Sequence, residues 1–166
     1  TEVHTYSLDT SPAGMSIDST TGLITWTPTN LQAAQTHDVV VRVTDKGVLF
    51  DTQPYQVAVE NVNDIPVANA GADQILNESS IATLDSSAST DDDLLNPSGE
   101  VLTYEWDFNQ DGLIDAVNSQ VNLTYNDDKV FNPILKVTDK SGTFTIDSVN
   151  ITFVNVPPTL EIASIT

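Results

Sequence analysis

The chain contains no cysteine, so disulfides and thiolate metal sites are both excluded, and stability has to come from packing or from oxygen-ligated cations. Basic residues are nearly as scarce. Five Lys and Arg stand against 24 Asp and Glu, a formal charge of -19, and such a surface repels a phosphate backbone or an anionic bilayer. Nucleic acid is therefore excluded as a partner. No run approaches the roughly 20 apolar residues that a membrane span needs, which argues against membrane insertion. No basic segment followed by an apolar one opens the sequence, so any export signal is expected to lie outside these residues. Two histidines, His4 and His37, are the only imidazoles, and neither a G-x-S-x-G elbow nor an H-E-x-x-H helix is present. Paired carboxylates could in principle do acid-base chemistry, but that needs a cleft which raises one pKa, and a solvated edge loop supplies none. The reading is a non-enzyme, with both histidines on the surface.

What is present is alternation. Val39-Val41-Val43, Tyr55-Val57-Val59, Leu102-Tyr104-Trp106, Ile134-Leu135-Val137 and Val149-Ile151-Phe153 follow the period-two pattern of strands, and no window sustains apolar residues at helical spacing. Turn residues punctuate these runs at Thr20-Thr21-Gly22, Asp45-Lys46-Gly47 and Lys140-Ser141-Gly142. The fold class is all-β, as tandem Ig-like β-sandwiches. The content of 39% hydrophobic residues suffices for a core.

Two segments end alike. Val43-Thr44-Asp45-Lys46-Gly47 leads through an alternating strand to Asn61-Val62-Asn63-Asp64-Ile65-Pro66, and Val137-Thr138-Asp139-Lys140-Ser141-Gly142 leads likewise to Asn155-Val156-Pro157-Pro158. The matching Asp45 and Asp139 are 94 residues apart, about one sandwich. The modules are accordingly placed at residues 1–64 and 65–156, with 157–166 a single alternating strand. Proline in each linker predicts short, stiff junctions. The first module is short for a sandwich and lacks opening strands, so one reading makes the chain an excerpt of a longer array. A second makes 159–166 a donor strand that completes the first module of a neighbouring copy, a route to self-assembly.

These residues carry two family resemblances. Pro12-Ala13-Gly14-Met15-Ser16-Ile17-Asp18, Thr21-Gly22-Leu23-Ile24-Thr25-Trp26-Thr27-Pro28 and Val43-Thr44-Asp45 resemble the Ig-like and dystroglycan-type cadherin-like repeats of bacterial surface proteins. Ala68-Asn69-Ala70-Gly71-Ala72-Asp73-Gln74, Leu84-Asp85-Ser86-Ser87-Ala88-Ser89-Thr90-Asp91 and Tyr104-Glu105-Trp106-Asp107-Phe108 resemble a PKD domain over about residues 66–156. The resemblance implies β-sandwiches at an extracellular or cell-surface location, bacterial or archaeal, in adhesins, surface-layer-associated proteins or accessory regions of secreted hydrolases. It names no ligand, because sandwiches of this kind host many functions.

Eight acidic residues lie between Asp91 and Asp115 with no Lys or Arg among them. Close carboxylate pairs repel by roughly 1 kcal/mol in water, a penalty that a divalent cation removes. Asp107, Asn109 and Asp111 occupy the first, third and fifth positions of a calcium loop, Gly112 the sixth, the Leu113 carbonyl the seventh and Asp115 the ninth. The twelfth is Asn118 rather than Glu and no helices flank the run, so an EF-hand is excluded. The competing reading is a tight solvated turn, which favours the same residue types. Asp91 and Asp93 form a second candidate calcium position, because the matching stretch in the domains they resemble lies at the sandwich end; here the alternative is an exposed acidic loop. The linker around Asn63 and Asp64 resembles the calcium linker of cadherins, but Asn61 stands where Asp is expected and Ile65 where Asn is expected. Trp26 and Trp106 lie in alternating strands and are read as core, with sugar stacking as the alternative.

The resulting expectation is a non-catalytic structural or adhesive module stiffened by calcium. Its partners would be other modules of the same chain and protein or polysaccharide ligands. The alternatives are a polymer-binding accessory region of a secreted hydrolase and a self-assembling fibre subunit.

Overall fold

A computed structural model describes residues 3–95 and 99–158; the proposed donor strand, 159–166, lies outside them. The chain divides into two units, Thr1–Asp64 with Asp92–Glu100, and Ile65–Asp91 with Val101–Thr166. Both are built of strands, as the alternation predicts.

In unit 1 the strands are β1 (Thr5–Thr10), β2 (Ser16–Ile17), β3 (Ile24–Thr25), β4 (Gln35–Thr44) and β5 (Phe50–Val59). β1, β4 and β5 form an antiparallel sheet in that order, while β2 and β3 make a separate hairpin. Register puts Val39 opposite Tyr55, Val41 between Leu8 and Gln53, and Val43 between Tyr6 and Asp51, so the alternating valines share one face. The β2–β3 turn is held by Asp18, whose Oδ1 accepts the Thr20 and Thr21 backbone N–H groups at 2.9 and 2.7 Å. The turn from β4 to β5 is held by Asp45, whose Oδ1 accepts the Leu49 N–H at 2.8 Å. β5 begins three residues before the alternation becomes visible at Gln53, because pairing with β4 continues to Thr44↔Phe50. It is the edge of its sheet and carries Pro54, whose missing N–H is tolerated at an edge. Among the described apolar residues of this unit, Ala33 and Val39 are the buried ones.

Unit 2 carries the larger core. Its strands are β6 (Gln74–Asn77), β7 (Ile81–Asp85), β8 (Thr103–Asp107), β9 (Gln120–Thr124), β10 (Lys129–Phe131), β11 (Ile134–Thr138), β12 (Phe144–Ser148) and β13 (Ile151–Val154). Three sheets result, in the orders β10-β13-β6, β12-β11-β8 and β7-β9, with β13 parallel to β6 and the remaining pairs antiparallel. Trp106, Leu135 and Val137 meet Val149, Ile151, Phe153 and Leu84 between the layers, all essentially buried. Each such side chain contributes about 1.5–3 kcal/mol on removal from water. β11 and β12 are joined by the counterpart of the Asp45 turn: Asp139 Oδ1 accepts the Thr143 N–H and the Ser141 hydroxyl, both at 2.8 Å. Asp139 is buried where Asp45 is not, although the two tripeptides are the same.

Trp106 is fully buried, as its strand predicts, and its Nε1 donates to the Asn118 carbonyl at 3.0 Å. Trp26 differs from expectation. It is half-buried, just beyond β3, with Nε1 donating to the Ala13 carbonyl at 3.2 Å and its ring edge-on to His37, centroids 5.1 Å apart. A two-strand hairpin cannot enclose an indole. His37 is accordingly half-buried rather than a plain surface residue, and it hydrogen-bonds the Gln32 carbonyl at 2.8 Å.

Candidate metal centre

The acidic loop grows out of β8. Trp106 anchors it in the core, and the chain returns to the same residue: Asp115 N–H donates to the Trp106 carbonyl and Trp106 N–H to the Ala116 carbonyl, both at 2.8 Å. Everything between is a surface excursion closed at its base.

Within it the carboxylates turn onto the backbone. Asp107 Oδ1 accepts the N–H groups of Gln110 at 2.6 Å and Asn109 at 3.2 Å, and Oδ2 accepts that of Gly112 at 2.9 Å. Asn109 Oδ1 accepts Asp111 N–H at 3.1 Å, its Nδ2 donates to Asp111 Oδ2 at 3.0 Å, and Asp111 Oδ1 accepts Leu113 N–H at 2.8 Å. Asp115 Oδ2 accepts Phe108 N–H at 2.7 Å. Gly112 sits at φ +83 with open space where a Cβ would be, so glycine is required there by backbone conformation and not by crowding. Gln110 adopts φ +60 and donates its side-chain amide to the Asn132 carbonyl at 2.8 Å. Burial works against ionisation of Asp107, yet the N–H groups of Gly112, Gln110, Asn109 and Asp111 outweigh it and hold the carboxyl below the usual range.

The loop thus joins Asp107, Asn109 and Asp111 in one hydrogen-bonded unit, with Leu113 and Asp115 on its outgoing limb. Among the described residues no three Asp, Glu, His or Cys side chains form a ready metal cluster. The donor chemistry nevertheless fits a hard cation. Every candidate ligand is an oxygen atom, the donor type that a hard cation takes.

Asp91 and Asp93 are buried, at 5% and 1% exposure, and so are not part of an exposed acidic loop. Asp93 Oδ2 accepts the Asp64 N–H at 2.8 Å, while Asn63 Nδ2 donates to the Asp64 carbonyl at 2.7 Å. Two candidate positions that are separate in the sequence, Asp93 and the Asn63-Asp64 linker, therefore meet in unit 1, whereas Asp91 belongs to unit 2.

Sequence reasoning missed a feature beside the loop. A groove of about 590 Å³ runs between Phe108–Gln110 with Asp115 and a second wall of Tyr125 and Lys129–Asn132. Its walls come from segments distant in the chain, and no local pattern announces them.

Comparison with known proteins agrees with this architecture. Residues 1–60 match the family model described as "Putative Ig domain", and residues 63–153 match the PKD domain model. No curated protein matches the chain. Among solved structures, human CDH23 EC21-23 superposes over 92% of this chain and 58% of its own, at 16% identity and a TM-score of 0.59. Extracellular cadherin domains 1-5 of protocadherin gamma B2 superpose over 92% of this chain and 32% of their own, at 16% identity and a TM-score of 0.51. The PKD1 domain of Vibrio anguillarum Epp is covered completely by 58% of this chain, at 22% identity and a TM-score of 0.42. The chain therefore spans only part of the cadherin structures, and at these identities the likeness is one of fold. Among the described residues no helix is long and apolar enough to cross a membrane. With its match over residues 63–153, the chain belongs to the PKD domain family, preceded by an Ig-type module and built throughout as Ig-like β-sandwich.

Proposed function

We propose that these modules are a non-catalytic structural or adhesive segment of an extracellular protein, stiffened by calcium at the loop after β8. Membership of the PKD family and the cadherin-like fold support the extracellular structural role. One observation carries the cation: Asp107, Asn109 and Asp111 place side-chain oxygens at alternate positions of one hydrogen-bonded loop that turns on a positive-φ glycine, with Asp115 on its outgoing limb. Asp107, Asn109, Asp111, the Leu113 carbonyl and Asp115 would hold the ion. Bound there, it supplies positive charge to a segment that has no Lys or Arg between Asp91 and Asp115. Asp91, Asp93, Asn63 and Asp64 remain secondary candidates for the same chemistry.

The protein's own residues carry the effect inward. Trp106 transmits order in the loop to the core, because the loop leaves directly from it and the outgoing end, Asp115 and Ala116, hydrogen-bonds back to its backbone. A ligand that binds only the folded loop stabilises the fold by mass action, about 2.7 kcal/mol at a hundredfold excess over Kd. Calcium should raise the melting temperature of the full chain and slow its proteolysis, and Asp107→Ala/Asp111→Ala should abolish both effects. Equal stabilisation of that variant would refute the loop as the site.

A further inference from the structure

Unit 1 has an apolar face that its own strands leave half covered. In the register of β1, β4 and β5, the side chains of Tyr6, Val41 and Val43 point to the same side as Val39. Val39 is fully buried, but Val41 and Val43, on the central strand of the sheet, are only half-buried and line a groove of about 390 Å³ with Tyr6, Ile24 and Tyr55. A sheet buries such a face under a second layer. Here that layer is the pair β2 and β3, two residues each, and the groove is the part it does not reach.

The strand edges around the groove select what can fill it. β1 is closed along its outer side by a bulge and by the Tyr6 N–H, which donates to the Ser19 carbonyl at 2.9 Å. β5 is closed by Asp51, whose carboxylate accepts the Thr52 N–H at 2.9 Å, and by Pro54, which has no N–H. β3 has no such protection: among the described residues it pairs with β2 alone, and its other edge, at Ile24 and Thr25, carries neither proline nor charge. A strand added there lies in the second layer and faces Val41 and Val43 across the groove. It needs uncharged, mainly apolar side chains at alternate positions, with a hydrogen-bonding group where Asp51 and Gln53 form the lip.

The chain contains one such run outside the described sheets. Eight residues follow Pro158, namely Thr159-Leu160-Glu161-Ile162-Ala163-Ser164-Ile165-Thr166, with no proline or glycine and one charge. In extended form Leu160, Ile162 and Ser164 share one side and Glu161 falls on the other. The other alternating runs are already taken up in β4, β5, β8, β11 and β13. We propose that residues 159–166 of a second copy of this chain enter the groove of unit 1 beside β3, with Leu160 and Ile162 on Val41 and Val43 and the Ser164 hydroxyl at the Asp51 lip.

The test is analytical ultracentrifugation of the full chain from micromolar to millimolar concentration, in chelator so that the loop after β8 plays no part. The expected result is species larger than the monomer that grow with concentration and with added salt, which screens the repulsion between copies of charge -19. Leu160→Asp/Ile162→Asp sets two carboxylates against the apolar lining and should weaken association roughly tenfold or more. A nitrogen-15 NMR titration of that variant with a synthetic peptide of residues 159–166 then locates the site, with saturable shifts expected at Ile24, Thr25, Val41 and Val43, and the dispersion of the same spectrum checks folding. A monomer at every concentration would overturn the proposal. So would association that the variant leaves unchanged, or a peptide that shifts none of these four amides.

Discussion

Asp107 and Gly112 are joined by a 2.9 Å hydrogen bond from the glycine N–H to the carboxylate, five residues back along the chain. That bond closes the tightest part of the loop after β8. It also shows how this protein uses its acidic excess. Beside the ion pairs Arg42–Asp9 and Lys136–Glu105, carboxylates pair with backbone N–H groups: Asp18, Asp73, Asp85 and Asp107 are all held below the usual range by such bonds.

Protonation should therefore cost stability at acid pH. The folded-state pKa of Asp107 is depressed, so its contribution is fully present above the unfolded value of about 3.9 and is lost as pH falls through the lower folded value. Asp107→Asn should melt at a lower temperature than the wild type near neutral pH, and the gap should narrow below about pH 3.9. A gap independent of pH, in melting curves recorded across that range, would contradict the assignment.

Gly112→Ala should destabilise by about 1–2 kcal/mol, the cost of a left-handed conformation for a residue with a Cβ. Nothing lies within 4 Å of the added methyl, so there is no steric addition to that cost. Urea unfolding gives the number directly, and an unchanged midpoint would mean that the turn has another conformation.

The two tryptophans should separate clearly. Trp106→Ala empties a fully buried position and should cost roughly 3–5 kcal/mol. Trp26→Ala removes a half-buried ring and should cost less than half as much. Comparable losses in urea unfolding would show that unit 1 encloses Trp26 as fully as unit 2 encloses Trp106.

The repeated Thr-Asp-Lys turns make a matched pair. Asp139→Ala removes a buried carboxylate that accepts both the Thr143 N–H and the Ser141 hydroxyl, and should cost about 1–3 kcal/mol. Asp45→Ala exposes its freed Leu49 N–H to water and should cost less. Chemical unfolding of the two variants checks the order.

Much of this architecture is legible in the sequence because its signals are local. Alternation finds β4, β8, β11 and β13, and Asp-Gly chemistry finds the turns, since both depend on neighbours within a few residues. Trp26 escapes this reasoning because alternation in one strand cannot reveal whether a second layer covers it. The residue types of the Asp107 loop are readable, but the direction in which each carboxylate turns depends on backbone N–H positions that spacing does not encode. Burial of Asp93 and its bond to Asp64 cross 29 residues, and the groove joins Phe108 to Lys129 across a similar gap. Such long-range pairings leave no periodic trace.

The central claim is a specific cation site, and calorimetric titration of calcium into the full chain at physiological ionic strength tests it most directly, beside Asp107→Ala/Asp111→Ala. The account predicts saturable, stoichiometric heat in the wild type that the variant loses. No saturable heat, or the same isotherm in both proteins, would contradict it and make Asp107 to Asp115 an acidic turn held together by its own backbone.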